Sequence, residues 1–319
     1  MARFADYLAL LKPHTRAQWS IGIYAGSSPL QMAPHPGLGE QPVLTVHSLG
    51  TIKASGVADP FMVKHGGGWF MFFEIENLLS GRGEIGVASS ADALSWRFER
   101  VVLKEPFHLS YPHVWQFEGT FYMLPESSAA GSLRLYKAAS FPFDWRFERE
   151  LIRAPLADAT TFEHEGRWWM FALEGFRQYD VMNIYHAPHP EGPWTSHRGN
   201  PIFRGNRRTS RSAGRVIRHD GALVRFAQDY ESVYGRAVRA FRIERLTADE
   251  FLEHPIEREI LGPSGNHWNA SGMHHIDAHE RGPGDWIACV DGRRTVRYLP
   301  FLDVARSRVH RALPGPSLA

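Results

Sequence analysis

The sequence predicts an all-β protein, a five-bladed β-propeller, on three observations. The pentapeptide WRFER stands at Trp96–Arg100 and again at Trp145–Arg149, and Trp194 of GPWTSHRGNPI follows at the same spacing of 49 residues. Five hairpin-like segments recur at a period of about 50 residues, the signature of a propeller or an array. The chain also interleaves 20 Phe, 10 Trp and 10 Tyr with 29 Gly and 21 Pro. Aromatic runs between frequent breakers make many short strands, not helices. A two-sheet sandwich would not explain the equal spacing.

The elements follow in order. Residues 1–18, MARFADYLALLKPHTRAQ, have no long apolar stretch and no small-residue cleavage site. They read as a short amphipathic helix and not a signal peptide. Trp19–Gly26 (WSIGIYAG) is expected to complete the last blade, because an open ring would leave a bare sheet edge. Hairpins are expected over residues 57–77, 110–128, 157–175, 212–231 and 271–292, turning at HGGG, EG, EGR, HDG and RGPGD. A further strand follows each of the first three: GEIGVASS, SLRLYKAAS and VMNIYHAP. The propeller is expected over residues 19–303, and residues 304–319 form a tail.

Composition bounds the function. Apolar residues are 43% and charged residues 22%, as in a folded globular chain. The single cysteine, Cys289, permits neither an internal disulfide nor a thiolate zinc site. No apolar run is long enough for a transmembrane helix. A net charge of +2 gives no strong field for nucleic acid or an anionic membrane. No glycine-rich phosphate fingerprint joins a strand to a helix, so no redox nucleotide is implied. A cytoplasmic location is the default. The ratio of 31 Arg to 5 Lys suits a bacterial source rich in G and C. Oligomeric state is not legible.

In a propeller blade the first strand lines the channel and the second runs back beside it. The start of strand one and the end of strand two therefore share one rim. Asp59 and Asp158 begin first strands, and Tyr111 holds the same place in the second unit, before Pro112 as Asp59 precedes Pro60. Second strands end with Glu74 and Glu76, Glu126, Glu174, Asp229 with Glu231, and Asp291. Crowded carboxylates raise one another's pKa values. Pairs with split pKa values perform glycoside hydrolysis. The competing reading of each strand-end acid is a turn cap or a partner for an arginine.

The fifth unit offers His274, His275, Asp277 and His279. Strand alternation puts His275, Asp277 and His279 on one face and His274 on the other. Such a set can hold a divalent metal, a sugar hydroxyl or a water. Residues 204–218 concentrate arginine without an acid. There Arg211 and Arg215 fall near the start of the fourth inner strand. They would either balance the channel acids or grip an anionic substrate. Tyr111, His113 and Trp115 lie on a channel strand, where Tyr111 and Trp115 are candidate sugar platforms.

ADPF, SYPHV, DATTF and GMHHID resemble the five-bladed propellers of glycoside hydrolase family 43. The longer segments WSIGIYAGSSP, PVLTV, EPFHLSYPHV, YMLPES, SAGRVI, RFAQDY and GMHHIDAH resemble the N-terminal domain of plant glucosamine inositolphosphorylceramide transferases, over residues 18–293. The family-43 resemblance implies that Asp59 is the base that activates water and that Asp158 tunes the acid. That family's acid is a Glu on the fourth inner strand, where this chain reads RSAGR. Glu126 is the substitute expected here. The resulting expectation is a glycosidase-like enzyme using Asp59, Glu126 and Asp158. Tyr111, His113, Arg211, Arg215, Asp229, His274, His275 and Asp277 would bind a sugar or glycoconjugate, anionic if the arginines reach it. The alternatives are a non-catalytic glycan-binding propeller and a metal-dependent hydrolase or isomerase using His275, Asp277 and His279.

Overall fold

The computed structural model describes residues 14–174 and 180–298. They form five antiparallel sheets arranged as propeller blades. The closing strands are β1 (His14–Ser28) and β2 (Gln31–Pro34). Blade one follows with β3 (Ala54–His65), β4 (Gly68–Asn77), β5 (Arg82–Ser90) and β6 (Arg97–Leu103). Blade two has β7 (Ser110–Phe117), β8 (Thr120–Glu126), β9 (Leu133–Ser140) and β10 (Asp144–Ile152). Blade three has β11 (Leu156–His164), β12 (Arg167–Glu174), β13 (Val181–Ala187), β14 (Thr195–Ser196) and β15 (Phe203–Arg204). Blade four has β16 (Ile217–His219), β17 (Ala222–Asp229), β18 (Ala237–Leu246) and β19 (Phe251–Pro255). Blade five takes β20 (Ile276–Gly282) and β21 (Asp285–Tyr298) from the end of the chain and β1 and β2 from its beginning.

The ring closes as the sequence anticipates. Strand β1 pairs with β21 from His14 opposite Tyr298 to Gly26 opposite Trp286. The closing strand starts earlier than expected, at His14, so residues 14–18 are strand and not helix. Residues 1–13 of the anticipated helix and the tail 304–319 lie outside the described residues. The WRFER repeats supply the outer strands β6 and β10. Their tryptophans do the same job: Trp96 Nε1 donates to Ala93 O and Trp145 Nε1 to Pro142 O, each at 2.9 Å.

Five buried apolar clusters fill the five gaps between blades. Phe72 and Val87 of blade one meet Val114 and Met123 of blade two. Leu124 meets Met170 across the next gap, Phe171 meets Leu223, and Phe226 meets Ile276. Met71 and Ile75 meet Ile21 and Cys289 where the ring closes. Both faces of each central strand are therefore covered, and each fully buried large apolar side chain contributes roughly 1.5–3 kcal/mol.

Blade four departs from expectation. Its regular inner strand is only Ile217–His219, and Ser212 touches β17 through a single bridge to Ala227. The cause is Gly214, whose φ is 133°. A Cβ there would stand 1.8 Å from the carbonyl oxygen of Ile276, so the chain bends to pass blade five.

Candidate active site

The inner strands of blades one to three break register at equivalent places. Ala58 opposes Glu74 but Phe61 opposes Phe72. Ser110 opposes Glu126 but His113 opposes Leu124, and Ala157 opposes Leu173 but Thr160 opposes Phe171. Each bulge holds one residue in the left-handed region: Asp59 at φ 52°, Tyr111 at 45° and Asp158 at 47°. This conformation is uncommon outside glycine and costs of order 1–3 kcal/mol. Bulges re-aim side chains, and here three blades spend that strain at one rim.

Asp59 sits at the centre. Its backbone N–H donates to Asp291 Oδ2 at 3.0 Å, and its Oδ2 accepts the N–H of Tyr111 at 3.2 Å. Asp291 Oδ1 accepts the N–H groups of both His274 and His275 at 3.0 Å. His274 Nδ1 lies 2.7 Å from Asp291 Oδ2 and 3.8 Å from Asp59 Oδ1. Trp19 stacks on His274 with ring centroids 4.0 Å apart, and Tyr234 meets the same imidazole edge-on at 5.4 Å. His275 Nδ1 lies 3.9 Å from Asp59 Oδ1, and both its ring nitrogens are buried without a hydrogen-bond partner.

Asp158 pairs through Oδ2 with Arg211 Nε, while its buried Oδ1 has no partner. Arg211 also lies over the Tyr234 ring at 5.1 Å. Glu126 is buried and accepts the N–H of Ser128 at 2.9 Å. Buried Glu74 lies 3.4 Å from His108 Nε2.

Burial sets the electrostatics. It raises Asp59 to about 7, against the opposing pull of His274. It also holds Glu74 well above the usual carboxyl range, with Asp59 adding repulsion. Burial raises Glu126 too, assisted by the charge of Asp158. Burial alone would lower His274, but Asp291 and Asp59 outweigh it and raise its pKa. His275 has less compensation, and burial takes it down to about 4. The rim therefore combines carboxyl groups raised by burial with a histidine, His274, raised by the acids around it.

A second polar set lies further along the channel. Asp277 Oδ1 accepts Arg215 Nε at 2.9 Å, and its Oδ2 accepts the N–H of Met62 at 2.7 Å and His279 Nε2 at 2.8 Å. Arg215 also donates to Val114 O at 3.1 Å and approaches His113 Nε2 at 3.4 Å. Burial would raise Asp277, but Arg215 and His279 overwhelm it and hold the carboxyl far below its usual range.

The sequence-selected residues divide accordingly. Asp59, Glu126, Asp158, Arg211, His274 and His275 gather at the rim. His113, Arg215, Asp277 and His279 form the interior set. Tyr111 is a tie: its hydroxyl meets Thr160 Oγ1 at 2.7 Å and accepts the N–H of Gly214 at 2.8 Å. Trp115 is buried and stacks on Tyr122 at 5.6 Å between blades two and three. Asp229 stands apart, bound to Arg239 at 2.7 Å and Arg236 at 3.6 Å.

One expectation is corrected. His274 does not face away from His275. Regular strand begins only at Ile276, and both histidines turn toward Asp291 and Asp59. The metal-capable geometry shifts with them. Asp59, His274 and Asp291 present ligand atoms that all lie within 4.8 Å of one another. The oxygens of Asp277 are taken by Arg215, Met62 and His279. Sequence reasoning gave no role at the site to Trp19 or Tyr234. The first was legible only as part of the closing strand, and the second lies outside the expected hairpins.

Five four- or five-stranded blades around a channel, with carboxyl groups gathered on a strained rim, define a five-bladed β-propeller. Its fold matches a thermostable family-43 glycoside hydrolase with a TM-score of 0.54 at 15% identity, over 72% of this chain and 82% of that one. It matches a Cellvibrio cellulosa α-L-arabinanase complexed with arabinohexaose equally well, at 0.54 and 15%, over 77% and 92%. The chain itself belongs to the family described as glucosamine inositolphosphorylceramide transferase 1, N-terminal, whose profile matches residues 12–293. Its relatives include glucosamine inositolphosphorylceramide transferase 1 of Oryza sativa subsp. japonica, 37% identical over 303 residues and 88% of this chain. The Arabidopsis thaliana protein of that name is 33% identical over 297 residues and 86% of this chain. The chain spans 41% and 39% of the lengths of these two relatives.

Proposed function

We propose that this propeller is a carbohydrate-active enzyme with glycosidase-like acid/base chemistry at the blade-one to blade-three rim. The observation that carries the reading is Asp59, a buried carboxyl raised to about 7 on a strained bulge of blade one, with a second buried, raised carboxyl, Glu126, at the end of β8 in blade two. Asp59 accepts a proton from the attacking water or attacks as the nucleophile. Glu126 delivers a proton to the leaving oxygen. Asp158 tunes Glu126 by its charge. His275, with two unpartnered ring nitrogens, and Arg211 contact the sugar. The names of the plant relatives, a transferase for an inositolphosphoryl-bearing acceptor, and the titles of the fold neighbours, glycosidases, both support a glycan or glycoconjugate ligand. The test is turnover on a panel of aryl glycosides and sugar phosphates, comparing the native protein with Asp59→Asn. Hydrolysis lost in the variant, with thermal unfolding retained, supports the assignment. Full activity in the variant overturns it.

One observation favours a second reading, a glycan-binding propeller without turnover: Ser212, Ala213 and Gly214 stand where family 43 is expected to carry its acid. Binding that survives Asp59→Asn, with no product from any glycan, selects that reading. A divalent cation on Asp59, His274 and Asp291 would redirect the chemistry to metal-activated water. Metal analysis before and after chelation tests it.

A further inference from the structure

The strands that close the ring run on past the site. Beyond Arg293, β21 is paired with β1 alone, from Gln18 opposite Arg294 to His14 opposite Tyr298. At about 3.3 Å per residue, this ribbon extends roughly 16 Å past the rim. Residues 14–19 and 293–298 include Arg16, Arg293, Arg294 and Arg297 and no acid. Directly opposed residues of an antiparallel pair share a face. One face therefore carries Thr15, Ala17 and Trp19 with Arg297, Thr295 and Arg293. Trp19 on that face stacks on His274, so this is the side turned to the site.

Arg293 differs from the arginines beneath it. Arg211, Arg215, Arg225 and Arg239 each hold a carboxylate. Among the described residues none pairs with Arg293, and its buried Nε has no partner. Burial lowers its pKa, a sign that its charge lacks compensation. Its guanidinium lies over the Trp19 ring at 5.9 Å. Its backbone is fixed by two hydrogen bonds at 2.9 Å, to Gly272 O and from Ser271 N. A guanidinium on a fixed stretch of backbone, backed by an indole and lacking a counter-ion, is prepared for an oxyanion. Arg297, further along the same face, adds positive charge to the approach, and the ribbon carries no acid.

We propose that Arg293, backed by Trp19 and followed along the ribbon by Arg297, is an anion subsite that takes the phosphate of a phosphate-bearing sugar or polyol whose ring occupies the channel. The inference rests on the carbohydrate reading of the rim. It moves anion recognition away from Arg211 and Arg215, whose charges are already held by Asp158 and Asp277.

The test is calorimetric titration of the full chain with matched pairs: glucosamine and glucosamine 6-phosphate, myo-inositol and myo-inositol 1-phosphate, and inorganic phosphate alone. The phosphorylated member of at least one pair should bind about tenfold or more tightly than its neutral partner, the order expected of a charge-assisted pair. Arg293→Gln should abolish that difference. Arg293→Lys should keep part of it with steeper salt dependence, and Arg294→Gln, on the opposite face, should leave it intact. Equal binding within every pair overturns the subsite, as does a preference that survives Arg293→Gln. Phosphate bound through Arg293 with no sugar contribution upholds the anion subsite and overturns the carbohydrate reading. Sedimentation with phosphatidylcholine vesicles, with and without phosphatidylinositol, separates the two phosphate sources: Arg293-dependent capture by the anionic vesicles assigns the phosphate to a lipid headgroup, and its absence beside sugar-phosphate binding assigns it to a free sugar phosphate.

Discussion

Two buried arginine–aspartate pairs share one channel, and they are built differently. Asp277 is saturated: Arg215, His279 and the N–H of Met62 together occupy both oxygens. Asp158 has Arg211 on one oxygen and nothing on the other. The first pair joins blades one, two, four and five through Met62, Val114, Arg215 and Asp277, and behaves as a rivet. The second sits on a strained bulge with an acceptor to spare. Buried ion pairs are weak evidence for stability until their remaining hydrogen-bonding capacity is counted. Counting it here separates scaffold from site.

Breaking the rivet should give the largest effect. Asp277→Asn leaves Arg215 buried without its counter-charge, and a loss of about 3–5 kcal/mol is expected. Thermal unfolding should shift by on the order of 10 °C. Asp158→Asn should destabilise less by at least about 1 kcal/mol, because it strands one donor group and Asn tolerates the left-handed conformation. Equal losses in the two variants would erase the distinction between rivet and site.

Asp59→Asn comes next. Turnover should fall about 10²–10⁴-fold, with little change in unfolding temperature, since Asn fits φ 52° and keeps an acceptor for the N–H of Tyr111. Gly214→Ala, by contrast, should cost on the order of 1–3 kcal/mol or more through strain alone, because its Cβ would meet the carbonyl of Ile276. A turnover assay checks the first loss, and thermal unfolding checks the stability of both variants.

The finest comparison is in pH. Asp59 is raised to about 7 in the folded chain from about 3.9 unfolded. The folded state then binds the extra proton, so this group's contribution to stability falls as pH rises from about 4 to about 7. Asp277 is depressed, so its contribution is full above about 4 and is lost on acidification. Asp59→Asn should flatten the neutral slope and leave the acid limb untouched. The rate on substrate should rise through about 7 as Asp59 loses its proton. A stability profile unchanged by Asp59→Asn would refute the elevated carboxyl.

By itself the sequence determined the blades. A WRFER repeat, an aromatic hairpin every fifty residues or so and an unpaired strand at the N-terminus are local or periodic signals, and periodicity survives in one dimension. The rim position of Asp59, Asp158 and Glu126 followed from the same logic, because strand starts and ends alternate regularly between faces. The tertiary structure decided the partnerships. Asp158 with Arg211 and Asp277 with Arg215 are contacts 53 and 62 residues apart, and no local pattern says which arginine meets which acid. Alternation failed for His274 because the chain is not yet strand there. Trp19 and Arg293 became neighbours of the site only when the first and last strands closed the ring. Long-range pairing in a closed sheet is fixed by the whole ring at once, and that is the information a linear reading lacks.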